Sequence, residues 1–421
     1  MKETFALKGN LLYTPACGQL EQHPQSYLVC ENGQVAGIFA QLPERYQGIP
    51  VDDYGDKLIL PGLVDLHVHA SQYAYRGLGM DMELLEWLEC NAFPEESKFA
   101  DLAYARQAYG IFTDELTRSA TTRACIFATL HRPATLVLME LLDRAGLPCF
   151  VGKVNMDRNS PDILRETTEQ SLEETRLWLE QSGDFTHVRP MLTPRFIPSC
   201  TDELMDGLGR LQREFGVAMQ SHLSENLSEI QWVSQLCPDT AFYGQAYERA
   251  GLFGGACPTV MAHCVWSGEA ERALMKENGV FIAHCPQSNM NVSSGIAPIK
   301  RYLLEGQKVG LGSDVAGGAH LSLFRAMTDA IQCSKLRWRL VDQQTGALTL
   351  PEALYMATKG GGAFFGKVGS FEPGYALDAV VLDDSALPTT RPCTLAERLE
   401  RVVYLSDGLP CAKYAAGRRL F

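Results

Sequence analysis

The stretch Leu60-Pro-Gly-Leu-Val-Asp-Leu-His-Val-His69 has the composition of a buried strand, and it ends in two histidines. Residues two apart on a strand point to the same side, so the side chains of His67 and His69 project to one place. Two imidazoles at a strand end are half of a zinc or iron site. Two histidines that are hydrogen-bonded inside a core would give the same local pattern, so the choice depends on the rest of the chain.

Seven further apolar segments follow this strand, and helical patterns separate them. Eight strands that alternate with helices predict an α/β fold, namely a parallel (β/α)8 TIM-type barrel. The strands are predicted at residues 63–69, 120–128, 147–153, 188–193, 217–222, 259–263, 280–284 and 309–314. A helix is predicted at 201–215, which starts with a Thr-Asp-Glu cap signal.

The two ends of the chain do not continue this pattern. Residues 1–60 and 367–421 predict a small β-sandwich domain that both termini form together, and residues 61–366 predict the catalytic barrel domain. The terminal strands are expected at short alternating segments, which are 11–14, 34–39, 379–382 and 402–405.

One connection, residues 70–119, is unusually long. Loops after barrel strands lie over the mouth where ligands bind, so this segment is a candidate lid. An extra helix packed on the barrel rim is an alternative, and the two interpretations are compatible.

Composition restricts the classes of partner and location. The chain has 421 residues, 46% of them hydrophobic, and a formal net charge of −13. This charge argues against nucleic acid and against an anionic membrane surface. We find neither a signal peptide pattern nor an apolar run of membrane-spanning length. The thirteen cysteines form no Cys-x-x-Cys pair, which favours reduced thiols and a cytoplasmic location.

Polar residues at the ends of the predicted strands extend the histidine pair into a metal site. The strongest ligands are three imidazoles and one carboxylate: His67, His69, His222 and Asp314. This donor set suits zinc first and iron second. The end of the fourth strand, residues 193–196, has no lysine that could bridge a second ion, so one metal per chain is expected. Asp314 could also accept a hydrogen bond from the attacking water.

Glu225 follows His222 by three residues, a spacing that lets a carboxylate lean over the metal without binding it. Such a group can move a proton from water to a substrate nitrogen. The alternative is a glutamate at a helix start that the helix dipole favours.

Several motifs together resemble the amidohydrolase superfamily over nearly the whole chain. The motifs are those at 61–69, 221–225, 283–289 and 312–318. Narrower matches at 84–88, 93–96, 151–157 and 193–196 are similar to the guanine deaminase subfamily. The resemblance implies zinc-dependent hydrolysis of guanine to xanthine and ammonia in purine catabolism or salvage, by a cytoplasmic homodimer.

The resemblance also implies roles for individual residues. It places the metal on the four ligands already identified and the proton shuttle on Glu225. It implies purine contacts for Gln72, Arg195 and Phe196, and it implies that His263 orients the water or the substrate. A salt bridge at the barrel rim is the alternative role for Arg195.

Two other functions remain as alternatives. The nearer one is a related deaminase that acts on another aminated purine, an adenosine-like compound or a triazine ring. The other is a noncatalytic relative that kept the barrel as a scaffold; such proteins typically lose metal ligands, whereas this chain keeps them. The cytidine type of zinc deaminase requires His-x-Glu and Pro-Cys-x-x-Cys, and neither pattern occurs in this sequence.

Overall fold

The computed structural model describes residues 4–405 and 410–421. Its strands, in chain order, are β1 Thr4–Tyr13, β2 Glu21–Glu31, β3 Gln34–Phe39, β4 Val51–Pro61, β5 Leu63–His69, β6 Thr121–Phe127, β7 Phe150–Gly152, β8 Val154–Asn155, β9 Arg189–Pro194, β10 Ala218–Leu223, β11 Thr259–His263, β12 Phe281–His284, β13 Lys308–Leu311, β14 Ala379–Leu382, β15 Pro410–Ala415 and β16 Arg418–Arg419.

The α-helices are α1 Leu84–Trp87, α2 Phe93–Glu96, α3 Leu102–Arg118, α4 Arg132–Ala145, α5 Thr168–Gln181, α6 Asp202–Phe215, α7 Leu227–Leu236, α8 Gly244–Arg249, α9 Glu269–Asn278, α10 Pro286–Asn291, α11 Ile299–Leu304, α12 Leu323–Leu340, α13 Leu350–Tyr355 and α14 Leu395–Leu405. Among the described residues, no helix has both the length and the apolar character needed to cross a membrane.

Strands β5 to β13 form a closed parallel barrel. The order runs from β10 through β13 to β5, β6, β7 and β9, and the pairing of β9 with β10 closes the ring. The short β8 continues β7 and pairs with β9. The predicted (β/α)8 barrel is therefore confirmed, and the first and sixth predicted strands coincide with β5 and β11 from end to end.

The terminal segments form a second sheet, in the order β16-β15-β14-β4-β1-β2-β3. Its strands pair antiparallel except for β1 and β4, which run parallel. Alternation of side chains explains how the sheet attaches to the barrel. Leu58 and Leu60 of β4 pack in the main core with the barrel and its helices, whereas Ile59 between them packs on the opposite face. The terminal sheet therefore shares one face with the barrel.

One predicted terminal strand is wrong. Residues 402–405 form the last turn of α14 rather than a strand. The reason is visible in the longer window, because Leu395, Leu399, Val402 and Val403 recur at helical spacing and the last three are buried. The domain boundaries at residues 61 and 366 stay a prediction, and residues 1–3 and 406–409 of the predicted terminal domain lie outside the described part of the chain.

The long connection after β5 contains two different parts. Residues 102–118 form α3, the helix that precedes β6, and the predicted helix at 201–215 is likewise confirmed as α6, with Thr201 capping its start. The remaining part, between residues 70 and 101, holds the short helices α1 and α2. Leu84, Trp87 and Leu88 from this part line the cavity at the barrel mouth. The part with α1 and α2 thus covers the mouth, α3 is the barrel helix between β5 and β6, and movement of the cover as a lid stays a prediction.

A buried ion pair joins the barrel to the segment that leads into β14. The side chain of Arg123, on β6, donates from Nε to Oδ2 of Asp378 at 2.6 Å. The Asp378 carboxylate is fully buried and also accepts from the backbone N–H of Ala416 at 2.7 Å. Removing the cation would leave a buried carboxylate without its charge partner.

We therefore expect Arg123→Met to lower the free energy of unfolding by about 3–5 kcal/mol. The methionine keeps much of the apolar stem, so the loss reports on the charge rather than on a cavity. Urea denaturation followed by circular dichroism measures the change. The matched control is Arg176→Met, which removes an arginine from an exposed pair with Glu214 and should shift the midpoint little. Equal midpoints for the two variants would contradict the prediction.

Candidate active site

Three imidazoles and one carboxylate converge at the carboxyl ends of the barrel strands. His67 and His69 end β5, His222 lies near the end of β10, and Asp314 follows β13. The Nε2 atom of His69 lies 3.2 Å from that of His67 and 3.3 Å from that of His222. Oδ1 of Asp314 lies 3.1 Å from Nε2 of His67 and 3.4 Å from Nε2 of His69. The three imidazoles thus form one cluster, and the Asp314 carboxylate joins it beside His67 and His69.

The environment keeps these imidazoles in the neutral form that can bind a metal. Burial lowers the pKa of His67, and it lowers the pKa of His69 and His222 well below the ordinary value. Nδ1 of His222 lies 2.6 Å from the carbonyl oxygen of Arg195. Because a carbonyl only accepts, Nδ1 carries the proton and Nε2 keeps its lone pair for the cluster.

Hydrogen bonds between the first and last barrel strands fix the ligands. The buried carboxylate of Asp65 accepts from the backbone N–H groups of His67 and Ser313, both at 3.1 Å, and from the Ser313 hydroxyl at 2.6 Å. The backbone N–H of Asp314 donates to the carbonyl oxygen of His67 at 2.9 Å. The loop after β13 is therefore attached to the end of β5 directly beside the metal ligands.

Glu225 lies in the cavity just before α7, whose N-cap is Asn226. Its carboxylate accepts from the hydroxyl of Ser294 at 2.9 Å through Oε1, and Oε2 lies 3.4 Å from Nε2 of His263. Burial raises the pKa of Glu225 to about 7. The acid in the first helical turn, which the alternative interpretation assigned to Glu225, is instead Glu229.

His263 reaches the same cavity from the end of β11. Its Nδ1 lies 2.9 Å from Oδ1 of Asn289, which accepts the ring proton, so Nε2 faces Glu225 and Asp314. Non-glycine backbone in the left-handed region occurs at these turns, with φ of 72° at His263, 48° at Asp314 and 47° at Ser224. Such conformations are concentrated where the chain must aim functional side chains.

The predicted purine contacts line the same cavity. Gln72, Arg195 and Phe196 are all buried and face it. The alternative role for Arg195 is also present, because its Nη1 donates to Oε2 of Glu96 at 2.5 Å. The Arg195 side chain therefore forms this salt bridge and also lines the cavity.

Four residues that sequence reasoning missed support the site. Ser294 and Asn289 hold Glu225 and His263, Glu96 binds Gln72 and Arg195, and Glu229 accepts from the backbone N–H of Glu225 at 3.0 Å. Glu96 and Asn289 lie in the motifs at 93–96 and 283–289, but only Glu229 had a local pattern that indicates its contact, since Asn226-x-x-Glu229 is a capping box. The other three come from loops or helices distant in sequence from their partners.

The chain belongs to the amidohydrolase family, whose model matches residues 58–410. That family is metal-dependent, in agreement with the histidine and aspartate cluster. Within the family the chain groups with the guanine deaminases. It is 36% identical to the guanine deaminase of Dictyostelium discoideum over 95% of this chain and 94% of that protein.

Solved structures give the same grouping. The crystal structure of guanine deaminase from C. acetobutylicum with bound guanine in the active site matches with a TM-score of 0.96 and 45% identity, over 100% of both chains. The guanine deaminase of E. coli matches with a TM-score of 0.88 and 31% identity, over 99% of both chains. Triazine hydrolases at 18% identity share the fold.

Proposed function

We propose that this chain catalyses the hydrolytic deamination of guanine to xanthine and ammonia. The observation that carries the proposal is one cavity lined by three of the four ligands, His69, His222 and Asp314, together with Glu225 and the hydrogen-bond donors Gln72 and Arg195. The full-length match to a guanine deaminase crystallised with guanine supports it. No comparable observation favours an adenosine-like substrate or a triazine.

The cluster fits one divalent metal ion. The three Nε2 atoms and the Asp314 Oδ1 atom face one another. Neutral imidazole nitrogens and a carboxylate oxygen form the donor set that zinc prefers, and iron comes second. His67, His69, His222 and Asp314 would hold the ion. When bound, the ion would supply Lewis-acid activation of water at neutral pH.

Glu225 moves the protons of the reaction. As the water oxygen adds to C2 of guanine, the Glu225 carboxylate takes one water proton and delivers it to N3. The proton of the hydroxyl now on C2 then passes to the 2-amino group, the bond between C2 and that nitrogen breaks as C2=O forms, and ammonia leaves. Ser294 and His263 hold the two carboxylate oxygens of Glu225 in place. A pKa near 7 lets this group both accept and release a proton.

Gln72, Arg195 and Phe196 bind the purine. Guanine offers acceptors at O6 and N7, and the amide and guanidinium N–H groups donate to acceptors of this kind. The Phe196 ring covers one face of the purine, and Trp232 backs that ring edge-on at a centroid distance of 6.3 Å. Adenine would leave buried donors without acceptors and should be rejected strongly.

Arg195→Lys tests this recognition. Lysine keeps the positive charge beside Glu96 but loses the planar, forked donor geometry. We expect the KM for guanine to rise about 10- to 100-fold while the metal content stays equal to that of the wild type. Steady-state kinetics and elemental analysis measure the two quantities. An unchanged KM would leave Arg195 with the salt-bridge role alone.

A substrate panel tests the proposed function itself. Metal-verified protein is incubated with guanine, adenine, an adenosine-like compound and an aminated triazine, and ammonia release is followed. Guanine turnover to xanthine supports the proposal. Turnover of another aminated ring with guanine untouched would overturn it.

Three finer points belong to the same proposal. Zinc follows from the donor set, and a homodimer and a cytoplasmic location follow from the resemblance to guanine deaminases. Elemental analysis, light scattering and fractionation test them separately.

A further inference from the structure

One buried carboxylate of the long connection touches both recognition residues at once. Glu96, at the end of α2, accepts from Nε2 of Gln72 at 2.8 Å through Oε1 and from Nη1 of Arg195 at 2.5 Å through Oε2. Gln72, Arg195 and Glu96 are each at most 3% exposed. Gln72 and Arg195 line the cavity, whereas Glu96 lies behind them.

The order of donors and acceptors in this chain of hydrogen bonds allows one arrangement. The backbone N–H of Ala316 donates to the Gln72 side chain at 3.2 Å, so the amide atom that faces Ala316 is the oxygen Oε1. The Gln72 amide nitrogen must then face Glu96, and a carboxylate can only accept. Arg195, which can only donate, occupies the second carboxylate oxygen. A neutral amide at position 96 could not accept from both partners through separate oxygens.

We propose, on the basis of the function proposed above, that Glu96 is a positioning residue that determines specificity for the 6-oxo group of the purine. It holds the Gln72 amide and the Arg195 guanidinium so that their remaining N–H groups form a donor-only edge of the cavity. Such an edge pairs with the O6 acceptor of guanine and leaves a 6-amino group, itself a donor, without a partner.

A second residue of α2 also contacts Arg195. Phe93, on the same short helix, lies with its ring centroid 5.2 Å from the Arg195 guanidinium carbon. Both contacts come from α2, whereas Gln72 directly follows β5 at the start of the same connection and Arg195 directly follows β9. The donor edge is therefore complete only when α2 packs against Gln72 and Arg195.

The test is the selectivity of Glu96→Gln between guanine and 2,6-diaminopurine. The two compounds share the 2-amino group and differ at position 6, where one has an acceptor and the other a donor. Glutamine at position 96 has one oxygen acceptor, and its NH2 group would face a donor of Gln72 or Arg195. The Gln72 amide would therefore lose its fixed orientation. We expect the ratio of kcat/KM for guanine over 2,6-diaminopurine to fall at least about tenfold, with a higher KM for guanine and unchanged metal content.

Glu95→Gln is the matched control. Glu95 is the neighbouring buried glutamate of α2, and it binds Lys98 at 2.6 Å and the Tyr104 hydroxyl rather than a recognition residue. Its variant should keep the wild-type selectivity ratio. A purely structural role of Glu96 would lower the activity on both purines equally and leave the ratio unchanged, and that result overturns the inference.

A second variant covers the case in which Glu96→Gln does not fold. Glu96→Asp keeps the negative charge beside Arg195 but is one methylene too short to reach both partners, so the ratio should fall here as well. Wild-type turnover of guanine is measured first. Its absence overturns the proposed function, whereas wild-type turnover with an unchanged ratio in the Glu96 variants overturns only the role of Glu96.

Discussion

Glu225→Gln is expected to bind metal as the wild type does and to lose about 10²- to 10⁴-fold in kcat, the usual contribution of a positioned proton-transfer group. Glutamine keeps the size of the side chain and can still accept from Ser294 through its amide oxygen. It cannot take a proton from water. Xanthine formation and elemental analysis of the same preparation check the two parts of this expectation.

The pH profile gives an independent check of the same residue. Burial raises the pKa of Glu225 to about 7, and the carboxylate form is the one that accepts the water proton. Acidification below that pKa protonates Glu225, so kcat/KM of the wild type should fall about tenfold per pH unit there. The residual activity of Glu225→Gln should lack this acid limb.

The control for Glu225→Gln is Glu248→Gln, the same change at an exposed position on α8. It should retain wild-type kinetics. Turnover of Glu225→Gln within a few-fold of this control would reject the proton-shuttle role, and loss of metal would instead indicate that Glu225 supports the ligand cluster.

Removing the metal is expected to abolish turnover, and Asp314→Asn should reproduce most of that loss. The amide keeps the shape of the side chain but not its negative charge, while the neighbouring imidazoles remain. Since a metal ion contributes several kcal/mol to such reactions, kcat should fall by about 10³-fold or more. Elemental analysis and kinetics after chelator treatment, and after addition of zinc or iron, provide the measurement.

Cys285→Ala is the control for the ligand set. Cys285 lies near His67, His263 and Asp314, and a cysteine could in principle bind metal there. Its buried thiol instead donates to the carbonyl oxygen of Ala283 at 3.5 Å, so metal and turnover should be kept in the alanine variant. Stoichiometric metal in Asp314→Asn, or loss of metal in Cys285→Ala, would contradict the ligand assignment.

The barrel could be predicted from the sequence because its strands are short apolar runs with polar residues at one end. Parallel strands in a barrel all place those ends on the same side, so separate segments indicate one site. Residues 402–405 predict a strand although they belong to α14. A window of four residues is too short to distinguish the strand period of two residues from the helix period of about 3.6. Only the wider spacing from Leu395 shows a helical face.

The ligand cluster could be predicted from the sequence for the same reason. The residue that holds Gln72 and Arg195 in place could not. His67, His69, His222 and Asp314 are polar residues in apolar strand ends, which makes them stand out. Glu96 is one of two adjacent glutamates in a polar segment, and no local pattern says which of them is buried against Arg195. That information depends on how the connection folds back over the mouth.

The hydrogen bonds between the end of β5 and the loop after β13 have a consequence for biosynthesis. His67 and His69 are translated before Asp314, which completes the set of ligands. Activity therefore requires that the barrel has closed by pairing of β13 with β5. An N-terminal fragment that stops before Asp314 is expected to be inactive. Recovery of turnover during refolding should accordingly report the final docking of the last barrel strand against the first.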